Sequence, residues 1–127
     1  MRISLVGSLG LLGLAVPAIA GPADVNAQAF YADAEQLMGK GVRAMFDKRT
    51  KPRMAQLKAA AELAKAENDR ATAKGQPIYC VSDAERKKGL SANAVVEMLG
   101  ALPESDRRRM TLAQAWRAAL IREYPCR

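Results

Sequence analysis

The sequence predicts an all-α domain, a small bundle of four to five helices stapled by one disulfide. Three observations carry that prediction. Alanine is abundant and runs of β-branched residues are missing, a composition that favours helix over strand. Apolar residues recur at steps of three and four, the period of one helix face. The only two cysteines, Cys80 and Cys126, both lie downstream of an export signal. An even cysteine count in an exported chain predicts a closed bridge between them.

The export signal is read from residues 1–20. Arg2 gives the positive start, residues 3–16 are uncharged and apolar, Pro17 breaks the run, and Ala18-Ile19-Ala20 offers small residues to a signal peptidase. The run is shorter than the roughly 20 residues that span a bilayer, so cleavage after Ala20 is expected rather than an anchor. No cysteine lies near the cleavage point, which excludes a lipoprotein attachment. The remaining residues, 21–127, form one domain with no second hydrophobic run, in the periplasm or outside the cell.

The elements follow in order. Asp24 or Asn26 can cap the first helix, with Phe30, Ala34, Leu37, Gly41 and Met45 along its buried face. Gly39 and Gly41 predict a break, followed by a short turn through Phe46. Asp47-Lys48-Arg49-Thr50 is a connector in which Thr50 is the expected cap, and Pro52 fits a first helical turn. A second helix over 52–73 is expected to bury Met54, Leu57, Ala61, Leu63 and Ala64. Lys58 and Glu62, like Lys65 and Asp69, sit four apart on its polar face. Lys74-Gly75 and Pro77 end it. Ile78-Tyr79-Cys80-Val81 is extended and packs flat across helices. Ser82-Asp83-Ala84-Glu85 has capping-box spacing and opens a turn ended by Lys87-Lys88-Gly89. Ser91 caps a helix from Ala92 to about Leu99 that buries Val95, Val96, Leu99 and Leu102, with Gly100 and Pro103 closing it. Ser105 starts the last helix. Thr111-Leu112-Ala113-Gln114 is an internal turn or a second capping box, and Ala113, Trp116, Leu120 and Tyr124 form the core stripe.

The composition narrows the chemistry. Loss of Arg2 on cleavage takes the formal charge from +7 to +6. A basic surface suits acidic partners, although the same charge also serves solubility. Export argues against nucleic acid. Histidine is absent, which removes the commonest metal ligand and neutral-pH general base. A Ser-His-Asp or Cys-His arrangement is impossible, and with both cysteines oxidised no zinc-ligand set remains. No catalytic residue, metal or cofactor is assigned, and a non-enzymatic binding role is expected. Arg107, Arg108 and Arg109 are the candidate partner-binding residues: three arginines at an expected helix start oppose the helix dipole, and arginine suits carboxylate contacts. Lys48, Arg49, Lys51 and Arg53 form a second basic cluster, read as a polar loop.

Three stretches resemble a known family: Gln76-Pro77-Ile78-Tyr79-Cys80, then Val95-Val96-Glu97-Met98-Leu99 with Pro103, then Ala113-Gln114-Ala115-Trp116 through Tyr124-Pro125-Cys126. Together they resemble the Rap/Tai immunity proteins of type VI secretion, over about residues 76–126. Where that family usually has a proline soon after the first cysteine, this chain has Val81-Ser82-Asp83, and the charged helix over 52–73 is an elaboration. The resemblance implies a periplasmic helical protein that neutralises a cell-wall amidase effector. The implied partner is therefore a protein, a peptidoglycan amidase, and a homodimer is also compatible with the sequence. The alternatives from other classes are a periplasmic stress chaperone and an envelope-binding helical protein.

Overall fold

The computed structural model describes residues 20–127; the signal segment expected over 1–20 lies almost wholly outside the described residues. Among the described residues there are six α-helices: α1 (Ala27–Lys40), α2 (Thr50–Ala73), α3 (Asp83–Lys88), α4 (Ala92–Gly100), α5 (Glu104–Arg109) and α6 (Leu112–Glu123). Short 3-10 turns at Pro22–Asp24 and Gly41–Phe46 precede and follow α1. The domain is all-α, and one disulfide closes it between Cys80 and Cys126. Among the described residues, no helix is long and apolar enough to cross a membrane.

The core lies where α6 packs on α2 and α4, and where α1 packs on α4 and α5. Leu99 and Leu112 are fully buried, with Phe30, Trp116 and Leu120 around them. Ala27, Ala60, Ala64, Ala115 and Ala119 are also buried. These small side chains let neighbouring helices approach closely, so one tryptophan and a few leucines fill the interior.

Asn26 is the cap of α1. Its side-chain oxygen accepts hydrogen bonds from the Gln28 and Ala29 amides at 3.0 and 3.1 Å, and its Nδ2 donates to the Arg108 carbonyl at 2.9 Å. The main chain beside it pairs with the start of α6: Ala27 N–H donates to Met110 O, and Leu112 N–H to Val25 O. One residue thus sets the start of α1 against the α5–α6 junction. Gly41 ends α1 with φ +58°, a left-handed conformation that disfavours any side chain. The chain breaks there as the glycines predict.

α2 differs from its expected form in two respects. It starts at Thr50, which does not cap it. Instead the Thr50 hydroxyl donates back to the Ala44 carbonyl, and the main-chain amide of Thr50 donates to Asp47 O. The buried face carries Ala60, Ala64 and Asn68, while Met54 (66% exposed) and Leu63 (56%) point outward. Alanine on every side of this helix leaves no unique apolar stripe in the sequence, and the small residues won the contact because they allow α6 to come closest.

The stretch Ile78-Tyr79-Cys80-Val81 does lie across the helices, with Tyr79 buried. Its main-chain groups have no strand to pair with. Asn68 supplies what is missing: Oδ1 accepts from the Ile78 and Tyr79 amides at 2.8 and 3.2 Å, and Nδ2 donates to the Tyr79 carbonyl at 3.1 Å. Cys80 N–H donates to Tyr124 O at 2.8 Å, which brings the end of α6 beside the first cysteine.

Both capping boxes form, Ser82 with Glu85 and Thr111 with Gln114. The second one separates α5 from α6, so the single last helix expected from Ser105 is two helices. In α4 the buried positions are Val95, Met98 and Leu99, with Leu102 just beyond it, and Val96 is only half-buried.

The bridge encloses a sequence separation of 46 residues. The chain-entropy relation gives roughly 4 kcal/mol for such a loop, comparable with the whole stability margin of a small domain. Cys126→Ser should therefore lose about 2–5 kcal/mol and melt at least about 10 °C lower, with helical content retained below the transition. Circular-dichroism melts of the two proteins measure this; coincident midpoints would contradict it.

Candidate functional site

The three arginines proposed from the sequence occupy the last turn of α5, not a helix start. The placement follows from the break at Met110, and in a last turn the helix dipole favours cations. The expected conflict with the dipole does not exist.

Arg107 is buried, 7% exposed. Its Nε donates to Gln28 Oε1 at 2.7 Å, and one terminal nitrogen faces the carbonyls of Leu99 (3.2 Å), Gly100 (3.4 Å) and Leu102. The guanidinium also lies 4.1 Å from the centre of the Tyr31 ring, in reach of a cation–π contact. Arg107 thus closes the carbonyl end of α4. Gly100 belongs to the same arrangement, since a Cβ there would lie 2.7 Å from the Tyr31 hydroxyl. Arg107 is a framework residue and is removed from the contact surface expected for it. Arg108 and Arg109 are exposed and pair locally with Glu104 at 3.3 Å and Asp106 at 2.6 Å.

The second basic cluster divides in the same way. Arg49 grips both oxygens of Asp47 at 3.1 Å and also reaches Asp33 at 3.1 Å and Gln36 at 2.6 Å. Arg53 donates twice to Asp33 Oδ2, at 2.9 and 2.7 Å. Lys40 adds a 2.7 Å contact to Asp47. The network ties α1, the connector and the start of α2 into one corner. Lys48 and Lys51 are exposed and make no ion pair among the described residues.

What this corner presents is the most exposed large apolar group of the described surface. Val42 is 80% exposed, Met45 76% and Phe46 90%, and Met54 stands nearby in sequence at the start of α2. Met45 was expected on the buried face of the first helix. The break at Gly41 rotates the chain into a six-residue 3-10 turn, in which no residue is buried, and Met45 goes to solvent with it. Exposed cations flank the apolar group in sequence: Arg43 within the turn, Lys48 and Lys51 after it. Large apolar side chains clustered on a surface mark sites of contact, and an exposed phenylalanine is the kind of anchor on which binding energy concentrates.

The sequence carried a sign of this surface. Gly41-Val42-Arg43-Ala44-Met45-Phe46 places three large apolar residues in a segment too short to bury two faces, between a glycine and a charged connector. The helical spacing of Met45 from Leu37 masked it.

The two carboxylates of the corner are held below the usual carboxylate range. For Asp33 the leading cause is its hydrogen bonding to Arg53, partly offset by burial. For Asp47 it is the hydrogen bonding to Arg49, then that to Lys40. Comparison of the chain with protein-family models, with curated proteins and with solved structures finds no match.

Two outcomes follow. A carboxylate whose folded pKa lies below its unfolded value near 3.9 stabilises the fold fully above that value. The contribution is lost as pH falls toward the folded value. Stability measured by denaturant titration should drop between pH 5 and pH 2, and the drop should shrink in Asp33→Asn and Asp47→Asn; an unchanged acid limb in both would contradict the network's role. Arg107→Ala strands buried carbonyls and should cost about 1–3 kcal/mol, whereas Arg108→Ala or Arg109→Ala should stay within about 0.5 kcal/mol of wild type. Equal losses at all three positions would remove the framework assignment.

Proposed function

We propose that this chain is an exported, non-enzymatic binding protein that acts by occluding a protein partner, and that the Phe46 corner makes the contact. The exposure of Val42, Met45 and Phe46 on a corner braced by four ion pairs among five side chains supports this above all. A braced apolar projection loses little conformational entropy on binding, which leaves more of its burial energy for affinity. Arg43, Lys48 and Lys51 around it suit an acidic rim and would speed encounter with one.

The resemblance of residues 76–126 to Rap/Tai immunity proteins supports a peptidoglycan amidase effector as the partner. On that reading the corner enters the hydrolase cleft, Phe46 fills its apolar floor, and the cations meet carboxylates at its edge. Export to the periplasm fits the same reading. The oxidised cysteine pair suits an oxidising compartment.

The test is inhibition of cell-wall hydrolysis by an amidase encoded beside this gene, with wild type, Phe46→Ala, and a triple Arg43→Glu, Lys48→Glu, Lys51→Glu variant. Stoichiometric inhibition by wild type is expected, weakened at least tenfold in Phe46→Ala, which corresponds to about 1.4 kcal/mol. In the triple variant the association rate should fall and lose its salt dependence. Unchanged inhibition by both variants would take the corner out of the contact. Hydrolytic turnover by the purified protein would overturn the binding role itself.

A further inference from the structure

Away from the corner, a recess of about 340 Å³ opens between α2, α6 and the chain around α3. It lies at the small end of the range that holds small molecules, roughly 300–1,000 Å³. Trp116, Leu120, Tyr79, Tyr124, Val81 and Leu90 supply its apolar lining. Leu90 is 43% exposed, a large apolar side chain at the mouth of an apolar hollow. None of the six residues of α3 is buried, so that helix covers the recess from one side without filling it.

The charges at the rim are unequal in what they leave free. Lys65 and Asp69 are committed to each other at 2.7 Å. Glu85 serves the capping box and accepts from the Ser82 amide. Arg86 lines the recess and makes no ion pair or side-chain hydrogen bond among the described residues. The two phenols add polar ends to an otherwise apolar lining. A phenol is protonated at neutral pH and can donate a hydrogen bond, and burial pushes both further above the ordinary tyrosine value.

Of the two rim carboxylates, Asp69 is neutralised by Lys65, and Glu85 is held to the Ser82 amide. An entering anion would meet a free guanidinium, the group best shaped to hold a carboxylate, beside an aromatic and aliphatic hollow. We infer that this recess is a binding site for a small amphipathic carboxylate, with its apolar tail over Trp116 and Leu120 and its head at Arg86. The site is independent of the Phe46 corner and of any amidase partner.

Trp116 is the only tryptophan, so its fluorescence reports occupancy directly. The probes are decanoate and decylammonium, equal in chain length and opposite in charge, each kept below its micelle concentration, titrated into the disulfide-closed protein. The expected result is a saturable one-site change with decanoate, at least tenfold tighter than with decylammonium. Arg86→Gln should weaken decanoate binding at least fivefold. Arg108→Gln, the same loss of charge on exposed α5, should leave it unchanged. No saturable change, equal binding of the two probes, or equal effects of the two substitutions would each overturn the assignment.

Discussion

The six helices of the described residues have twelve ends, and each end leaves main-chain donors or acceptors without a partner inside the helix. In a chain of this size those groups lie close to the core, where an unpaired polar group costs about 1–3 kcal/mol. The fold depends on how they are satisfied. Asn26 caps α1 and reaches the end of α5. Arg107 closes the carbonyl end of α4. Asn68, buried near the end of α2, supplies hydrogen bonds to the extended stretch that carries Cys80. Asn26 and Arg107 also join segments far apart in sequence, to Arg108 and Gln28 respectively, whereas Asn68 holds a stretch that follows its own helix. The disulfide then acts on a stretch that Asn68 has already placed.

The same requirement divides the chain's excess positive charge. Arg107, Arg49 and Arg53 are consumed by the framework, at the end of α4 and in the brace between α1 and α2. Arg43, Lys48, Lys51 and Arg86 make no such commitment among the described residues, and they lie beside the two apolar features open to solvent, the Phe46 corner and the recess under α3. The basic composition therefore does not act as a uniform field. Arginines held by several partners at once brace the scaffold, and Arg43, Lys48, Lys51 and Arg86 are among the cations left for contact.

Much of this was legible in the residues. Capping boxes are local, so Ser82/Glu85 and Thr111/Gln114 could be found by spacing alone. The glycine break at 39–41 and the cysteine pair were equally direct. The buried face of α2 was legible in part: Leu57, Ala61 and Ala64 do pack on the core, but Met54 and Leu63, more hydrophobic than alanine, were placed inside while Ala60, the better fit, was passed over. Asn68 gave no signal, since nothing local marks a helical asparagine as the partner of a stretch ten residues on. The arginine triplet misled for a related reason. Whether three arginines begin one helix or end another depends on Met110, and starting the last helix at Ser105 reversed the dipole argument. The apolar corner was hidden by a residue spacing that continued the pattern of α1 past the glycine that ended it.

The central claim is that the Phe46 corner, and not the arginine-bearing end of α5, meets the partner. A photo-crosslinking amino acid placed at position 46 or at position 109 of the exported protein, in living cells, tests this most directly, with the captured protein identified by mass spectrometry. Capture of a cell-wall amidase from position 46 and none from position 109 is expected. Capture from position 109 alone would contradict the claim.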